Sequence, residues 1–115
     1  MIGKRESNFE VSLQDGTMTV LLDGEIDHHS AVAVRSEIDA KIYEIRPKRL
    51  VLDLSRINFM DSSGLGLVMG RYALAEKFGV EFEIINPTDR ALKIFELAGL
   101  GRIINVKKEE KNDKM

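Results

Sequence analysis

A chain of 115 residues is shorter than the ~150 of an average domain, and 43% apolar residues suffice for one core. Lys and Arg number 17 against 19 Asp and Glu, a net charge of −2, so the basic footprint of a nucleic-acid binder is missing. Without cysteine there is no disulfide scaffold, Cys-ligated zinc or thiol nucleophile. No apolar run approaches the ~20 residues of a membrane span, and Met1 to Glu6 has no signal-like apolar stretch. The expectation is a soluble, cytoplasmic protein.

Phe9, Val11 and Leu13 alternate with polar residues, as do Met18, Val20 and Leu22, which predicts two strands. Asp15-Gly16 between them predicts a hairpin, because such a turn needs positive φ. Val34, Ile38, Ile42 and Ile45 recur at helical spacing, and Pro47 stops that helix near Ile45 or Arg46. Leu50-Val51-Leu52-Asp53-Leu54 has the composition of a buried parallel strand. Asp61-Ser62-Ser63 carries helix-start chemistry. The helix after it is expected to bury Leu65, Val68, Met69, Tyr72 and Ala73 and to stop at Gly79. Val80 to Ile85 reads as a strand closed by Asn86-Pro87. Thr88 or Asp89 caps a third helix carrying Ala91, Ile94, Phe95 and Ala98, which Gly99 and Gly101 end. Ile103, Ile104 and Val106 suit a last short strand.

The order ββαβαβα, with a final β in view, predicts a single α/β domain. Its mixed sheet joins an N-terminal hairpin to β-α-β crossovers, with helices over one face or both. The domain runs over residues 1–106. Residues 107–115, KKEEKNDKM, form a charged tail with nothing to bury, read either as a frayed, solvated end or as an interaction arm.

Enzyme chemistry finds little support. The pattern G-x-S-x-G is absent around Ser62 and Ser63, and His28 and His29 are the only histidines. Those two are adjacent, so on a regular element they point apart. Asp27-His28-His29 is either a loop metal site or a helix N-cap followed by two first-turn histidines. Gly64-Leu65-Gly66 with Gly70 misses the dinucleotide fingerprint by one residue and lacks a Walker lysine. Glycines inside a helix cost about 1 kcal/mol each relative to Ala. They therefore mark close packing within the domain or a partner surface. The serines at the strand-to-helix junction are ordinary caps, and also short hydroxyls of the kind a protein kinase modifies.

Gly24-Glu25-Ile26-Asp27-His28-His29, Phe59-Met60-Asp61-Ser62-Ser63-Gly64-Leu65-Gly66-Leu67 and Gly70-Arg71-Tyr72 together resemble the anti-sigma-factor antagonists of the STAS domain family, in their sporulation branch. Ala98-Gly99-Leu100 ahead of an apolar strand fits as well, and the likeness runs from about Val11 to Val106. The resemblance implies a regulatory phosphoprotein rather than an enzyme, with no cofactor of its own. It implies as partners an anti-sigma factor that is also an ATP-binding serine kinase, and a serine phosphatase that reverses the modification. Binding would release the forespore sigma factor. By motif position, Ser62 is the implied phosphate acceptor. Asp27, Asp61, Ser62, Ser63, Gly64, Leu65, Gly66 and Arg71 are the implied partner-binding set. The competing readings are an antagonist in a general stress-response sigma pathway, a serine-nucleophile hydrolase, and a free-standing counterpart of the module on anion transporters.

A phosphoserine adds about −1.5 to −2 charges. At a helix N-terminus the dipole and free N–H groups favour an anion. A phosphate on Ser62 is therefore expected to leave its own domain folded and to act at an interface.

Overall fold

The computed structural model describes residues 9–108. Asp15 and Gly16 both have positive φ, 52° and 82°. They form the two-residue turn between β1 (Phe9–Gln14) and β2 (Thr17–Ile26), which pair antiparallel from Gln14↔Thr17 to Phe9↔Leu22. The chain then alternates through α1 (His28–Ile45), β3 (Arg49–Met60), α2 (Ser62–Lys77), β4 (Glu81–Ile85), α3 (Asp89–Leu97) and β5 (Asn105–Lys107). A single 3-10 turn at Leu100–Arg102 precedes β5. The strands lie in sequence order, β1-β2-β3-β4-β5, and every pair after the hairpin is parallel. This is the mixed α/β sheet that the element order predicts.

Residues that pair across strands share a face. Met18, Val20 and Leu22 stand with Leu50, Leu52, Leu54 and Ile84, all buried. One apolar cluster joins this face to Val34, Ile38 and Ile42 of α1, Leu67, Val68 and Ala75 of α2, and Ala91 and Phe95 of α3. Helices thus cover one face. The other carries Glu10, Ser12, Thr19, Asp53 and Glu83. There Glu83 is buried between Arg49, with which it forms a close ion pair, and Lys107, whose Nζ is 2.9 Å from Glu83 Oε2. Lys107, expected to open the tail, is instead the last residue of β5 and part of this cluster. Residues 109–115 of that tail lie outside the described residues, as do residues 1–8.

Two expectations change. β3 is 12 residues long, not five, and spans the 10 residues of β2 by means of two register shifts. Its buried positions on the helix-covered face step by two through Leu50, Leu52 and Leu54, then by three to Ile57 and Met60, while Val51 is buried on the other face. Each bulge adds one residue and resets the inward phase, so simple alternation ends at Leu54.

The second change is the buried face of α2. Gly64, Leu67, Val68, Arg71 and Ala75 are buried, while Leu65, Met69 and Tyr72 are half-buried and Ala73 is exposed. The helix is rotated from the expected stripe because an arginine occupies the inward position. Arg71 is 4% exposed. Its Nε lies 2.7 Å from Asp39 Oδ1 on α1, in an ion pair too bent to count as a hydrogen bond at that nitrogen. Nη2 donates to Asp39 Oδ2 at 3.2 Å and Nη1 to the Leu67 carbonyl at 3.3 Å. Burial pulls the guanidinium's pKa down, and the Asp39 charge opposes that pull.

Removing one partner of a buried ion pair leaves an uncompensated charge, which costs about 3–5 kcal/mol for a fully dry pair. Asp39 is 28% exposed, so Asp39→Ala is expected to lower unfolding stability by on the order of 2 kcal/mol. Replacing both, as Asp39→Leu with Arg71→Met, should restore most of the loss. Urea denaturation of the single and double variants measures this.

Candidate functional site

β2 and β3 run parallel and stay paired to their last residues, Ile26↔Met60. The Asp61 N–H extends the ladder by donating to the Ile26 carbonyl at 3.2 Å. Asp27 and Asp61 therefore leave the sheet side by side, and each caps the helix that follows.

Asp27 Oδ1 accepts the Ser30 N–H at 2.9 Å, and Ser30 Oγ accepts the Asp27 N–H at 3.1 Å, a reciprocal capping box. Ser30 Oγ also donates to the Glu25 carbonyl at 2.8 Å, which fixes the approach of the chain. The N-cap reading of Asp27 therefore holds. His28 and His29 are exposed residues of the first turn. Among the described residues no group of three His, Asp or Glu is placed to hold a metal ion. The Ser30 N–H bond, with smaller help from the Ser30 hydroxyl and His29, holds the Asp27 carboxyl below its ordinary value of 3.8.

Asp61 Oδ1 accepts the Ser63 N–H at 2.8 Å, and its carbonyl accepts the Gly64 N–H at 3.0 Å. Those bonds start the helix at Ser62, its first residue, whose side chain is exposed and makes no hydrogen bond to a described residue. Ser63 is half-buried and turns toward α1. With Gly66, Leu67, His28, Val32 and Arg35 it lines a groove between the two helices.

The glycines separate into two kinds. A Cβ on Gly64 would run into Met60 Cγ and Sδ, so this position is glycine because the helix sits directly on a core side chain. At Gly66 and Gly70 a Cβ would meet nothing within 4 Å. Packing within the domain accounts for the first and not for the other two.

Of the eight residues implied as partner-binding, the structure gathers Asp27, Asp61, Ser62, Ser63 and Gly66 on one rim, at the C-terminal ends of the parallel strands. Leu65 is half-buried beside them. Gly64 and Arg71 depart from a contact role, because both are buried: one lies against Met60 and the other is committed to Asp39. Sequence reasoning missed Val32, 48% exposed, and Phe59, 38% exposed beneath the guanidinium of Arg90 at 5.6 Å. An apolar residue off the stripe of α1 was the available signal for Val32. Phe59 gave none, since its outward aim depends on the second bulge.

The STAS domain model matches residues 8–112. The chain belongs to the STAS domain family. It is 33% identical over 107 residues to a Paenibacillus polymyxa protein named anti-sigma F factor antagonist, covering 91% of this chain and 92% of that one. Its fold superposes on the anti-sigma factor antagonist SpoIIAA in its unphosphorylated form with a TM-score of 0.77 at 30% identity, over 90% of this chain and 89% of the other. Against the Bacillus cell fate determinant SpoIIAA in the phosphorylated form, the TM-score is 0.72 at 30% identity, over 90% and 92%. The sporulation branch of the family is therefore the one this chain resembles in both sequence and structure.

A carboxyl held low by a folded-state bond adds stability above its unfolded pKa and loses it as pH falls through the folded value. Wild-type protein should therefore lose stability more steeply than Asp27→Asn as pH falls through and below the ordinary value of 3.8. Urea midpoints measured on both sides of that value test the capping assignment.

Proposed function

We infer that this protein is an anti-anti-sigma factor of the sporulation type. Its unphosphorylated form docks an anti-sigma factor that is also a serine kinase, and the sigma factor is released. The single observation carrying this reading is Ser62: an exposed hydroxyl on the first residue of α2, held at the rim by the Asp61 cap, with no hydrogen bond to a described residue. The relatives' names as anti-sigma factor antagonists support it. They favour the sporulation pathway over a general stress-response one.

In this reading, Ser62 is the group that the kinase phosphorylates and a serine phosphatase resets. Ser63, Leu65 and Gly66 form the docked face, and Asp27 and Asp61 shape it by starting the two helices together. Gly64 and Arg71 act from behind by fixing how α2 sits on the sheet and on α1. Ser62 Oγ makes no hydrogen bond to a described residue, and in this reading the serine is a substrate rather than a nucleophile activated by a base. The protein is a switchable binding module with no catalysis of its own, and it works in the cytoplasm.

A phosphate at this position is compatible with the fold, since the helix dipole and first-turn amides favour an anion. The like charge of Asp61 is exposed to screening. The fold matches both forms of SpoIIAA, which supports a switch read at the interface. A dianion buried in a protein contact without a cationic partner costs several kcal/mol. A shift of ~5.5 kcal/mol moves an equilibrium from 99:1 to 1:99.

The test is to incubate the protein with its cognate kinase and ATP and to map the modified residue by mass spectrometry. Phosphate is expected on Ser62 alone. Ser62→Ala should bind the kinase and stay bound, and Ser62→Asp should bind at least about a hundredfold more weakly. Equal labelling of Ser62→Ala and wild type would overturn the assignment. In amide spectra, phosphorylation should shift residues near 61–65 and leave the sheet unmoved.

A further inference from the structure

We propose that the groove between the first turns of α1 and α2 seats an apolar side chain of the anti-sigma factor, beside a carboxylate of the same partner that pairs with Arg35. This rests on the function inferred above and assigns the surface that selects the partner.

The groove has a volume of about 240 Å³, enough for one branched apolar side chain. Val32, 48% exposed, gives the groove an accessible apolar wall on its α1 side. Leu67 is buried on the α2 side, and the missing side chain of Gly66 leaves room, since a Cβ there would touch nothing within 4 Å. Two basic residues, His28 and Arg35, line the same groove. Among the described residues neither has an ion-pair partner. Asp39, one turn further along α1 from Arg35, is already committed to Arg71, whose positive charge Arg35 also feels. The groove is thus apolar within and carries on its α1 side the charge of Arg35, which has no ion-pair partner among the described residues. An acidic residue next to an apolar one complements both properties.

Position decides between occupants. Ser63 lines the groove and Ser62 precedes it, so a kinase whose active site reaches Ser62 covers the groove in the same encounter. Recognition then has two parts. The groove selects the partner in either phosphorylation state, and Ser62 decides whether the contact closes.

The experiment uses full-length protein and the purified anti-sigma factor of the same organism. Val32→Asp and Arg35→Glu should each weaken binding by about tenfold or more, Arg35→Glu should also flatten the salt dependence, and Arg35→Lys should retain most of the affinity. Both positions are exposed, so thermal unfolding should stay within a few degrees of wild type. Unchanged affinity in Val32→Asp and Arg35→Glu, with Ser62→Asp still defective, overturns the groove and leaves the function standing. Wild-type affinity in Ser62→Asp overturns the function itself. Sedimentation of the free protein covers the other occupant. Self-association that Val32→Asp abolishes without changing affinity for the anti-sigma factor assigns the groove to a second copy and overturns the proposal.

Discussion

The parallel pairing of β2 with β3, held to the last residue of each, is the constraint on which the site depends. It brings Ile26 and Met60 level and so delivers Asp27 and Asp61 to one edge, where each turns the chain into a helix. Parallel strands of equal phase would do this only if both had the same number of residues. Here β3 uses 12 residues to match 10. The two surplus residues are absorbed as bulges, between the pairs at Leu21 and Asp23 and between those at Gly24 and Glu25. A one-residue slip in a strand moves its side chains to the opposite face, so a single bulge would have turned Met60 out and pulled Asp61 in. Two bulges restore the phase. Met60 enters the core, where Gly64 packs on it, and Asp61 reaches the rim, where it starts α2 at Ser62.

Besides the apolar cluster they share, α1 and α2 are joined by an ion pair. The pair Asp39–Arg71 spans the two helices one side chain deep, and Arg71 also returns a hydrogen bond to its own helix at Leu67. A pair of apolar side chains would hold the helices with less desolvation cost. The charged pair adds direction, because a guanidinium bonded to Leu67 on one side and Asp39 on the other admits little rotation of α2. Its place two turns along the helix from Ser62 couples the rim to the interior without exposing Arg71 to a partner.

Much of this was legible in the sequence, and the failures have physical causes. Asp15-Gly16 announced its turn because the geometry admits few residue types. The stripe Val34, Ile38, Ile42 and the stop before Pro47 followed from helical period and proline sterics, with Arg46 taking the left-handed cap at φ 50°. Asp27 and Asp61 read as caps because carboxylates bond first-turn amides. What failed was phase. Periodicity assumes that inward positions are apolar, so a buried arginine rotated α2 out of register with its expected stripe. Alternation assumes an unbroken strand, so β3 ended too early at Leu54. The resemblance to the family supplied Ser62 as an acceptor. The structure adds a difference in exposure: Ser62 is exposed, while Ser63, whose amide Asp61 caps, is half-buried.

The same geometry explains how a modification can change binding without remodelling the domain. An exposed residue at the first position of a helix has no intrahelical bond to lose from its side chain, and its amide is among those a helix leaves unsatisfied. Charge added there meets the positive end of the dipole rather than the core. A conformational switch would need two packings of similar energy. The rim offers nothing of that kind: Gly64 is wedged on Met60, Arg71 is tied to Asp39, and both caps are closed. Rigidity behind the serine is what makes the surface informative. If α2 could tilt, a phosphate would be accommodated by moving the helix, and the penalty would be spread through the domain. In the proposed function, a helix held in place by Gly64 on Met60 and by Arg71 on Asp39 leaves the cost of the dianion to fall on the contact with the partner.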